Sequence, residues 1–334
     1  MNDIRRTILW VIFGFSMVLL WDKWQLHNGN KATFFPSPAA VGAAAPAAGA
    51  SAPLAGAASV PASTAPAVAS IGASAVPGTP APAAPAAREK IEVTTDVYRL
   101  TFDGEGGSLT HAELLKHADM TDKAKNFVLF DESTQRVYAA QTGLIGGSFP
   151  THKTVMTAVP GPRSLKDGEN ELTIRFESPE QGGVKLVKTW TLKRGAYDIA
   201  VKHEVVNVGS TAVSPQLYLQ LVRDGNKPPG ESSFYSTFTG PAVYTDAKKY
   251  QKIEFKDIEN GKVDIPKESP NGYVAMVQHY FASAWLLADG VQRELFTRKV
   301  SDNLYSVGMI TPLGNIDPGT TKVVDARLFA GPQV

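Results

Sequence analysis

The sequence predicts a mainly β chain, in which a single N-terminal transmembrane helix is joined by a disordered linker to a large antiparallel sandwich with few short helices. Three observations predict it: an early apolar run, a long uncharged stretch rich in Ala and Pro, and a remainder in which apolar and polar side chains alternate. The predicted parts are an N-terminal tail at 1–7, a transmembrane helix at 8–24, a flexible linker at 25–88 and a folded domain at 89–334.

The membrane helix is the first predicted element. Residues 7–24 are apolar apart from a few positions, and at 1.5 Å per residue a helix of this length is about 27 Å long, which just spans the hydrocarbon layer. A cleaved signal peptide is the alternative, but no run of small residues follows the apolar stretch directly. Two arginines before the helix favour a cytoplasmic N-terminus, and tryptophans suit both bilayer interfaces. The residues expected to set the anchor and its topology are Arg5, Arg6, Trp10, Trp21 and Trp24.

Composition excludes several classes of protein. The chain has no cysteine, so disulfides, thiolate metal sites, Cys nucleophiles and an acylated lipoprotein Cys are excluded. Lys plus Arg number 33 and Asp plus Glu number 32, so no overall basic field exists to attract nucleic acid. We therefore expect no nucleic-acid partner. If the N-terminus is cytoplasmic in a bacterium, the rest of the chain lies in the periplasm.

The linker contains no charged residue from Ala32 to Ala87. Its Ala, Pro, Gly and Ser residues bury too little apolar surface to offset the entropy of ordering the backbone. As a flexible coil, 56 residues span about 40 Å. We interpret it as a spacer that lets the distal domain move, and a docking sequence is the alternative.

The domain after residue 88 shows strand patterns bounded by turn residues. Apolar side chains alternate with polar ones at 98–102, 172–176 and 197–205, and 217–221 offers a further strand. Helical periodicity is scarce, and the best short candidate is Asp119–Ala124. The pattern predicts an antiparallel sandwich of many strands.

The segment Gly272–Leu287 looks at first like a second membrane helix. It would place Gln278 and His279 at the centre of the bilayer, where polar groups are costly. We instead predict two consecutive core strands joined near Tyr280.

No catalytic, cofactor-binding or metal-binding residue is predicted. His111 and His117 are six residues apart, which fits no common metal-ligand spacing. His203 lies on the apolar face of its strand, so we expect a hydrogen-bonded structural residue, and we expect the same of His279. The glycines and lysine of Gly225–Gly230 flank two prolines that cannot donate amide hydrogen bonds, so this segment predicts a loop rather than a phosphate site. The residues of the domain therefore predict a binding or scaffolding role.

Four short motifs, in order behind the anchor, carry a resemblance to a known family. They are Thr95–Val97 before Gly106 and Gly107; Lys188–Gly195; Gly272–Met276 running into Tyr280–Trp285; and Leu328–Pro332. Together with the order of the parts, they resemble the N-terminal half of the YidC family of bacterial membrane protein insertases (YidC/Oxa/Alb).

That resemblance implies a periplasmic domain of β-supersandwich fold, held in the inner membrane of a Gram-negative bacterium. It implies partners among nascent inner-membrane proteins, the Sec translocon with its accessory subunits, and the lipid bilayer, with no cofactor, small-molecule substrate or enzymatic activity. Family members carry five further helices that form the insertion groove, and we expect that groove to lie outside these 334 residues, which alone should not insert proteins. The alternative is a membrane-tethered periplasmic protein that binds carbohydrate or acts as a chaperone.

Overall fold

The computed structural model describes residues 88–228, 230 and 237–333. The predicted anchor and nearly all of the linker lie outside these residues, and so do Arg5, Arg6, Trp10, Trp21 and Trp24. Within the described part of the chain, no helix is long and apolar enough to cross a membrane.

Eighteen strands and one helix are found in the described residues. The first nine strands are β1 (Lys90–Thr94), β2 (Tyr98–Asp103), β3 (Ser108–Ala118), β4 (Asn126–Glu132), β5 (Val137–Ile145), β6 (Thr157–Ala158), β7 (Glu171–Glu177), β8 (Val184–Lys193) and β9 (Asp198–Asn207). They are followed by β10 (Gln216–Asp224), β11 (Thr239–Thr245), β12 (Lys249–Lys252), the helix α1 (Phe255–Glu259), β13 (Glu268–Ser269), β14 (Tyr273–Gln278), β15 (Phe281–Leu287), β16 (Arg293–Ser301), β17 (Leu304–Pro312) and β18 (Thr321–Pro332).

The strands form two nine-stranded sheets, and every pairing between the strands named above is antiparallel. The first sheet has the order β1-β2-β3-β4-β5-β10-β17-β16-β13, and the second has the order β12-β11-β14-β15-β18-β9-β8-β7-β6. The predicted antiparallel sandwich is therefore confirmed.

Alternating side chains decide which face of each strand enters the core. In β9, Ile199, Val201, His203 and Val205 are buried, while the residues between them are half-buried or exposed. Between the sheets, the ring of Trp190 lies 5.1 Å from Phe102 and 6.0 Å from Trp285, measured between centroids. Burial of these large rings supplies much of the apolar driving force for closing the sandwich.

Polar groups inside the core connect the two sheets. The Trp285 indole of the second sheet donates to the carbonyl of Gln220 in the first, at 3.1 Å. The Tyr138 hydroxyl lies 2.6 Å from the Ser283 hydroxyl and donates to the Met276 carbonyl at 3.2 Å. A buried polar group without a partner is costly, so these bonds fix how the sheets face each other.

The helix predicted at Asp119–Ala124 is wrong. A carboxylate oxygen of Asp119 accepts hydrogen bonds from the backbone N–H groups of Thr121 and Asp122, which closes a turn between β3 and β4. Short polar side chains compete with helix formation by bonding nearby backbone in this way. The five-residue α1 is the one helix among the described residues.

Two other predictions about local structure are confirmed. The segment Gly272–Leu287 forms the hairpin of β14 and β15, which turns at His279 and Tyr280. Residues 225–228 are a loop that follows β10.

Candidate functional site

The outer face of the second sheet carries a small apolar cluster that is separate from the main core. Its centre consists of four buried side chains: Ala242, Ala275, Val277 and Ala284. Partly buried neighbours pack around it: Phe238, Tyr273, Ala282, Leu286 and Phe329. An apolar outer face on an antiparallel sheet departs from the usual alternation, and it marks this surface as a candidate binding site.

Strand register explains why this surface is concave. Ala242 pairs with Ala275, and Ala275 pairs with Ala284, so three methyl groups lie side by side across β11, β14 and β15. The row continues to Lys252 of β12 at one end, and to Phe329 of β18 and Asp198 of β9 at the other. Because the middle of the row has the smallest side chains, it forms the floor of a groove.

A second row of small residues widens the floor. Gly240, Val277, Ala282 and Gly331 are neighbours on four adjacent strands. A methyl group on Gly240 would lie 3.0 Å from the Phe238 ring. Glycine therefore lets this ring settle against the sheet and form part of the wall.

Aromatic rings form the walls. Tyr244 and Tyr273 stack with centroids 5.4 Å apart, and the Lys252 ammonium lies 5.2 Å from the centre of the Phe238 ring. Burial raises the pKa of the Tyr273 hydroxyl above its usual value, so this side chain stays uncharged. The groove encloses about 950 Å³.

Polar side chains at the rim are already engaged within the domain. The Arg327 guanidinium forms an ion pair with Asp198 at 3.1 Å. The His279 imidazole lies 3.0 Å from the Thr237 hydroxyl. Gln333, which also lines the groove, donates to the carbonyl of His279 at 2.8 Å. The groove therefore offers an apolar floor between charged ends.

This arrangement suits binding. Asp198 is the single carboxylate among the described lining residues, and its charge is paired with Arg327. Hydrolysis of a glycosidic bond typically uses two carboxylates on opposite sides of the substrate. Across the described residues, no group of three or more His, Asp or Glu side chains could hold a metal ion.

Structural contacts within the domain hold three of the described histidines. His111 faces Asp131 at 3.4 Å, and His117 lies 3.0 Å from the Tyr197 hydroxyl. His203 is completely buried beside the Thr142 hydroxyl at 3.0 Å, and burial lowers its pKa to about 3. The prediction that His203 is a hydrogen-bonded core residue is confirmed.

Sequence reasoning missed a buried cation, Lys188. Its ammonium donates to the carbonyls of Gly106 at 2.5 Å and Thr142 at 2.7 Å, and the side chain is completely buried. Burial lowers its pKa to about 7. The sequence does contain a signal for it, because Lys188 falls in the same alternating phase of β8 as the apolar residues Leu186 and Trp190, which are buried.

The four sequence motifs come together in the fold. The carboxylate of Asp96 accepts the backbone N–H of Gly195 at 3.0 Å, and Lys188 binds Gly106. The Tyr98 hydroxyl donates to the Ala330 carbonyl, and β15 pairs along β18. The motifs therefore encode contacts between distant strands of the sandwich.

The groove had a signal in the sequence. Both faces of β14 and β15 are apolar, so these strands read as a continuous apolar run with no alternation. Strands buried on two faces read in this way. The core explains one face, and the unexplained second face is the floor of the groove.

The two nine-stranded antiparallel sheets place the described domain in the class of antiparallel β-sandwich domains. Within that class, residues 90–334 match the family model of the YidC periplasmic domain. The chain belongs to the YidC family, which confirms the resemblance seen in its motifs.

Curated relatives match along almost the whole chain. The membrane protein insertase YidC of Janthinobacterium sp. (strain Marseille) is 47% identical over 99% of this chain, and that of Cupriavidus necator (strain ATCC 17699) is 49% identical over 99%. In each case the match covers 58% of the relative. The chain therefore spans the N-terminal 58% of the curated relatives' length.

Two of the solved structures that this chain matches are a galactose mutarotase related enzyme and a galactose mutarotase-like protein. A galactose mutarotase related enzyme from Lactobacillus acidophilus has a TM-score of 0.45 and 8% identity, with 74% of this chain and 100% of that chain covered. A galactose mutarotase-like protein from Clostridium acetobutylicum has a TM-score of 0.46 and 7% identity, with 74% and 96% covered. Likeness at this level identifies neither a ligand nor an activity.

Proposed function

We propose that this chain is the N-terminal portion of a membrane protein insertase that inserts and helps fold inner-membrane proteins, alone or with the Sec translocon. The observation that carries the proposal is the identity of 47–49% to membrane protein insertases over 99% of the chain. The proposed clients are nascent inner-membrane proteins, and the Sec accessory subunits are proposed partners of the periplasmic domain.

The proposed location of the protein is the inner membrane of a Gram-negative bacterium. Residues 8–24 anchor the chain, Arg5 and Arg6 remain cytoplasmic, and the sandwich lies in the periplasm. The uncharged linker from Ala32 to Ala87 gives the sandwich freedom to move above the bilayer.

The proposed activity of the domain is binding and not catalysis. In the described part of the domain the groove is apolar, with a single, paired carboxylate among its lining residues. Such a surface can hold a partner by burial of apolar area, without a nucleophile or a general base.

The experiment is complementation of a strain depleted of its own insertase. Residues 1–334 and the full-length protein made by the native gene are expressed at equal levels, and growth is measured together with insertion of a reporter membrane protein. We expect rescue by the full-length protein alone, because about two-fifths of the relatives' length lies outside the 58% that the chain covers. Failure of the full-length protein would contradict the proposed function. Rescue by residues 1–334 would contradict the expectation that these residues alone do not insert proteins.

A further inference from the structure

We infer that the turn between β14 and β15, formed by His279 and Tyr280, touches the surface of an anionic phospholipid bilayer. The inference rests on the proposed location of the protein, and it adds the part of the sandwich that meets the membrane and the residues that make the contact. Tyr280 is the most exposed large apolar residue in the described part of the chain, with 61% of its surface accessible. A tyrosine has an apolar ring and a polar tip, which suits it to the headgroup region of a bilayer.

Contacts within the domain hold the β14–β15 turn in place. The His279 imidazole lies 3.0 Å from the Thr237 hydroxyl, and its ring packs edge-on against the Tyr280 ring with centroids 3.7 Å apart. Directly behind the turn, the Phe281 ring stacks on Phe127 with centroids 3.8 Å apart. The exposed ring is therefore preorganised, so little conformational freedom is lost when it meets a surface.

The chain leaves the sandwich beside this turn. The Gln333 backbone N–H donates to the Tyr280 carbonyl at 2.7 Å. Its side-chain amide donates to the carbonyls of His279 at 2.8 Å and Phe281 at 3.1 Å. The curated relatives, which are membrane protein insertases, continue beyond the part that this chain matches. In a full-length protein, a remainder embedded in the membrane therefore keeps the β14–β15 turn close to the bilayer.

The point at which the chain enters the sandwich lies away from the β14–β15 turn. The Arg88 guanidinium pairs with Asp103, at the end of β2, at 2.7 Å. Tyr98, at the start of β2, bonds the Ala330 carbonyl close to the exit. The six residues of β2 place the entry and the exit about 17 Å apart at about 3.3 Å per residue. The predicted linker, with its span of about 40 Å, covers this distance, so the entry does not prevent the turn from facing the bilayer.

Two lysines give the neighbourhood of the turn a positive charge. Lys116 comes just before His117, whose ring lies 5.5 Å from the Phe281 ring. Lys123 lies in the turn between β3 and β4. Both lysines are exposed, and neither has an ion-pair partner among the described residues. Lysines beside an exposed aromatic ring are typical of contacts with anionic lipid.

The two carboxylates of the β3–β4 turn are engaged within that turn. Asp119 accepts hydrogen bonds from backbone N–H groups, and Asp122 pairs with Lys125 at 3.2 Å. They therefore offset the two lysines only in part.

A protein partner fits the β14–β15 turn less well than a bilayer. Stable protein interfaces bury about 800 Å² on each side and have a core of several apolar residues. This turn offers one exposed ring among charged side chains. A bilayer needs no complementary pocket to accept a single aromatic ring, because the headgroup region is fluid and both apolar and polar.

Photolabelling from the lipid tests this inference in the full-length protein. The protein is reconstituted into vesicles of phosphatidylethanolamine and phosphatidylglycerol that contain a phospholipid with a diazirine close to its headgroup. Mass spectrometry of peptides then locates the lipid adducts. Val323 is the reference position, because it is 46% exposed but lies nine residues before Pro332 on β18, about 30 Å along the strand.

We expect lipid adducts on the residues that flank position 280 and none around Val323. Tyr280→Ser should reduce the adducts on the flanking residues about fivefold, whereas Tyr280→Trp should retain them, because an indole also suits the interface. Protease resistance of each variant reports its folding.

The lysines are tested by reversing their charge. Lys116→Glu combined with Lys123→Glu should reduce the adducts about fivefold or more in the anionic vesicles. The same double variant should have no such effect in vesicles of phosphatidylethanolamine and phosphatidylcholine. Lys185→Glu, on the exposed side of β8, is the control and should leave the adducts unchanged in both.

Equal labelling at the turn and at Val323 overturns the inference, and so does unchanged labelling in Tyr280→Ser or in the double lysine variant. p-Benzoylphenylalanine at position 280 in inner-membrane vesicles tests the other class of partner, and a product that contains a second protein in place of lipid also overturns it. If the turn is unlabelled in a full-length protein that still inserts a reporter membrane protein, the inference fails and the proposed function stands. Failure of the unaltered full-length protein to insert the reporter overturns the proposed function itself.

Discussion

Gly272 is the position at which the backbone tolerates a side chain least. Its φ is +93°, and a methyl group there would lie 1.9 Å from the carbonyl oxygen of Tyr244 on the neighbouring strand. Glycine is required for both reasons, since other residues rarely adopt this conformation and none fits the space. The residue therefore lets β14 begin close against β11, where the groove wall is built.

We predict that Gly272→Ala lowers the free energy of unfolding by about 3 kcal/mol or more, because backbone strain and a steric clash add together. Gly290→Ala is the matched control, since Gly290 has a φ of +85° and nothing within 4 Å of the added methyl group. It should cost about 1 kcal/mol. Urea unfolding of the two variants measures both values, and equal losses would contradict the clash.

Lys188 makes the stability of the domain depend on pH. Its pKa is about 7 in the folded domain and about 10.4 in an unfolded chain, so between these values the unfolded chain binds more protons. Stability from this group is therefore complete above pH 10.4 and is lost as the pH falls towards 7. Burial, and in second place the Lys188 charge, disfavour protonation of the nearby His203, which is therefore neutral over this pH range.

We predict that the free energy of unfolding rises with pH more steeply in the wild-type chain than in Lys188→Met, by up to about 1.4 kcal/mol per pH unit between pH 7 and 9. Lys185→Met, on the exposed side of the same strand, is the control. Unfolding in urea across this pH range measures the slopes. Parallel slopes for wild type and Lys188→Met would show that the ammonium does not lose its proton in the core.

At the scale of elements, the hairpin of β14 and β15 connects the core to the groove. One face of the hairpin packs Met276 and Trp285 into the sandwich, and the other presents Ala275 and Ala284 to the groove. Tyr138 of β5 reaches across the core to bond this hairpin through Met276 and Ser283. The groove floor is thus held by contacts made on its hidden side.

We predict that Tyr138→Phe lowers the free energy of unfolding by about 1–3 kcal/mol, because it leaves two buried hairpin groups without their partner. Ser283→Ala removes one of the two contacts and should cost less. Combining them should cost less than the sum, since the two residues share one hydrogen bond. Additive losses in thermal or urea unfolding would contradict a direct bond between them.

At the scale of the whole molecule, the absence of cysteine allows topology to be measured directly. We predict that a cysteine at Val323, which is exposed in the sandwich, reacts with a membrane-impermeant maleimide in cells whose outer membrane is permeable. A cysteine at Asn2 should react only after the inner membrane is broken, because Arg5 and Arg6 favour a cytoplasmic N-terminus. The reverse pattern would contradict the proposed orientation of the anchor.

The sequence by itself determined the class of fold and the family. Alternation along strands such as β9 is a local property of the chain, so it predicted the sandwich, and the continuous apolar run at Gly272–Leu287 predicted a pair of core strands. The family motifs could also be recognised in the sequence, but their structural role could not be predicted from it. Asp96 and Gly195 are far apart in sequence, and only folding brings them into contact.

Only the tertiary structure decided where a partner could bind. The groove depends on register across six strands from distant parts of the chain, which aligns Ala242, Ala275 and Ala284 in one row. Alanine is common in cores and on surfaces, so none of these residues is conspicuous alone. Lys188 was hidden for a similar reason, since its acceptors come from a turn and from the opposite sheet. Periodicity depends on residues that are close in sequence, so it can be read from the sequence. A concave surface and a buried charge depend on strand pairing between residues that are far apart in sequence.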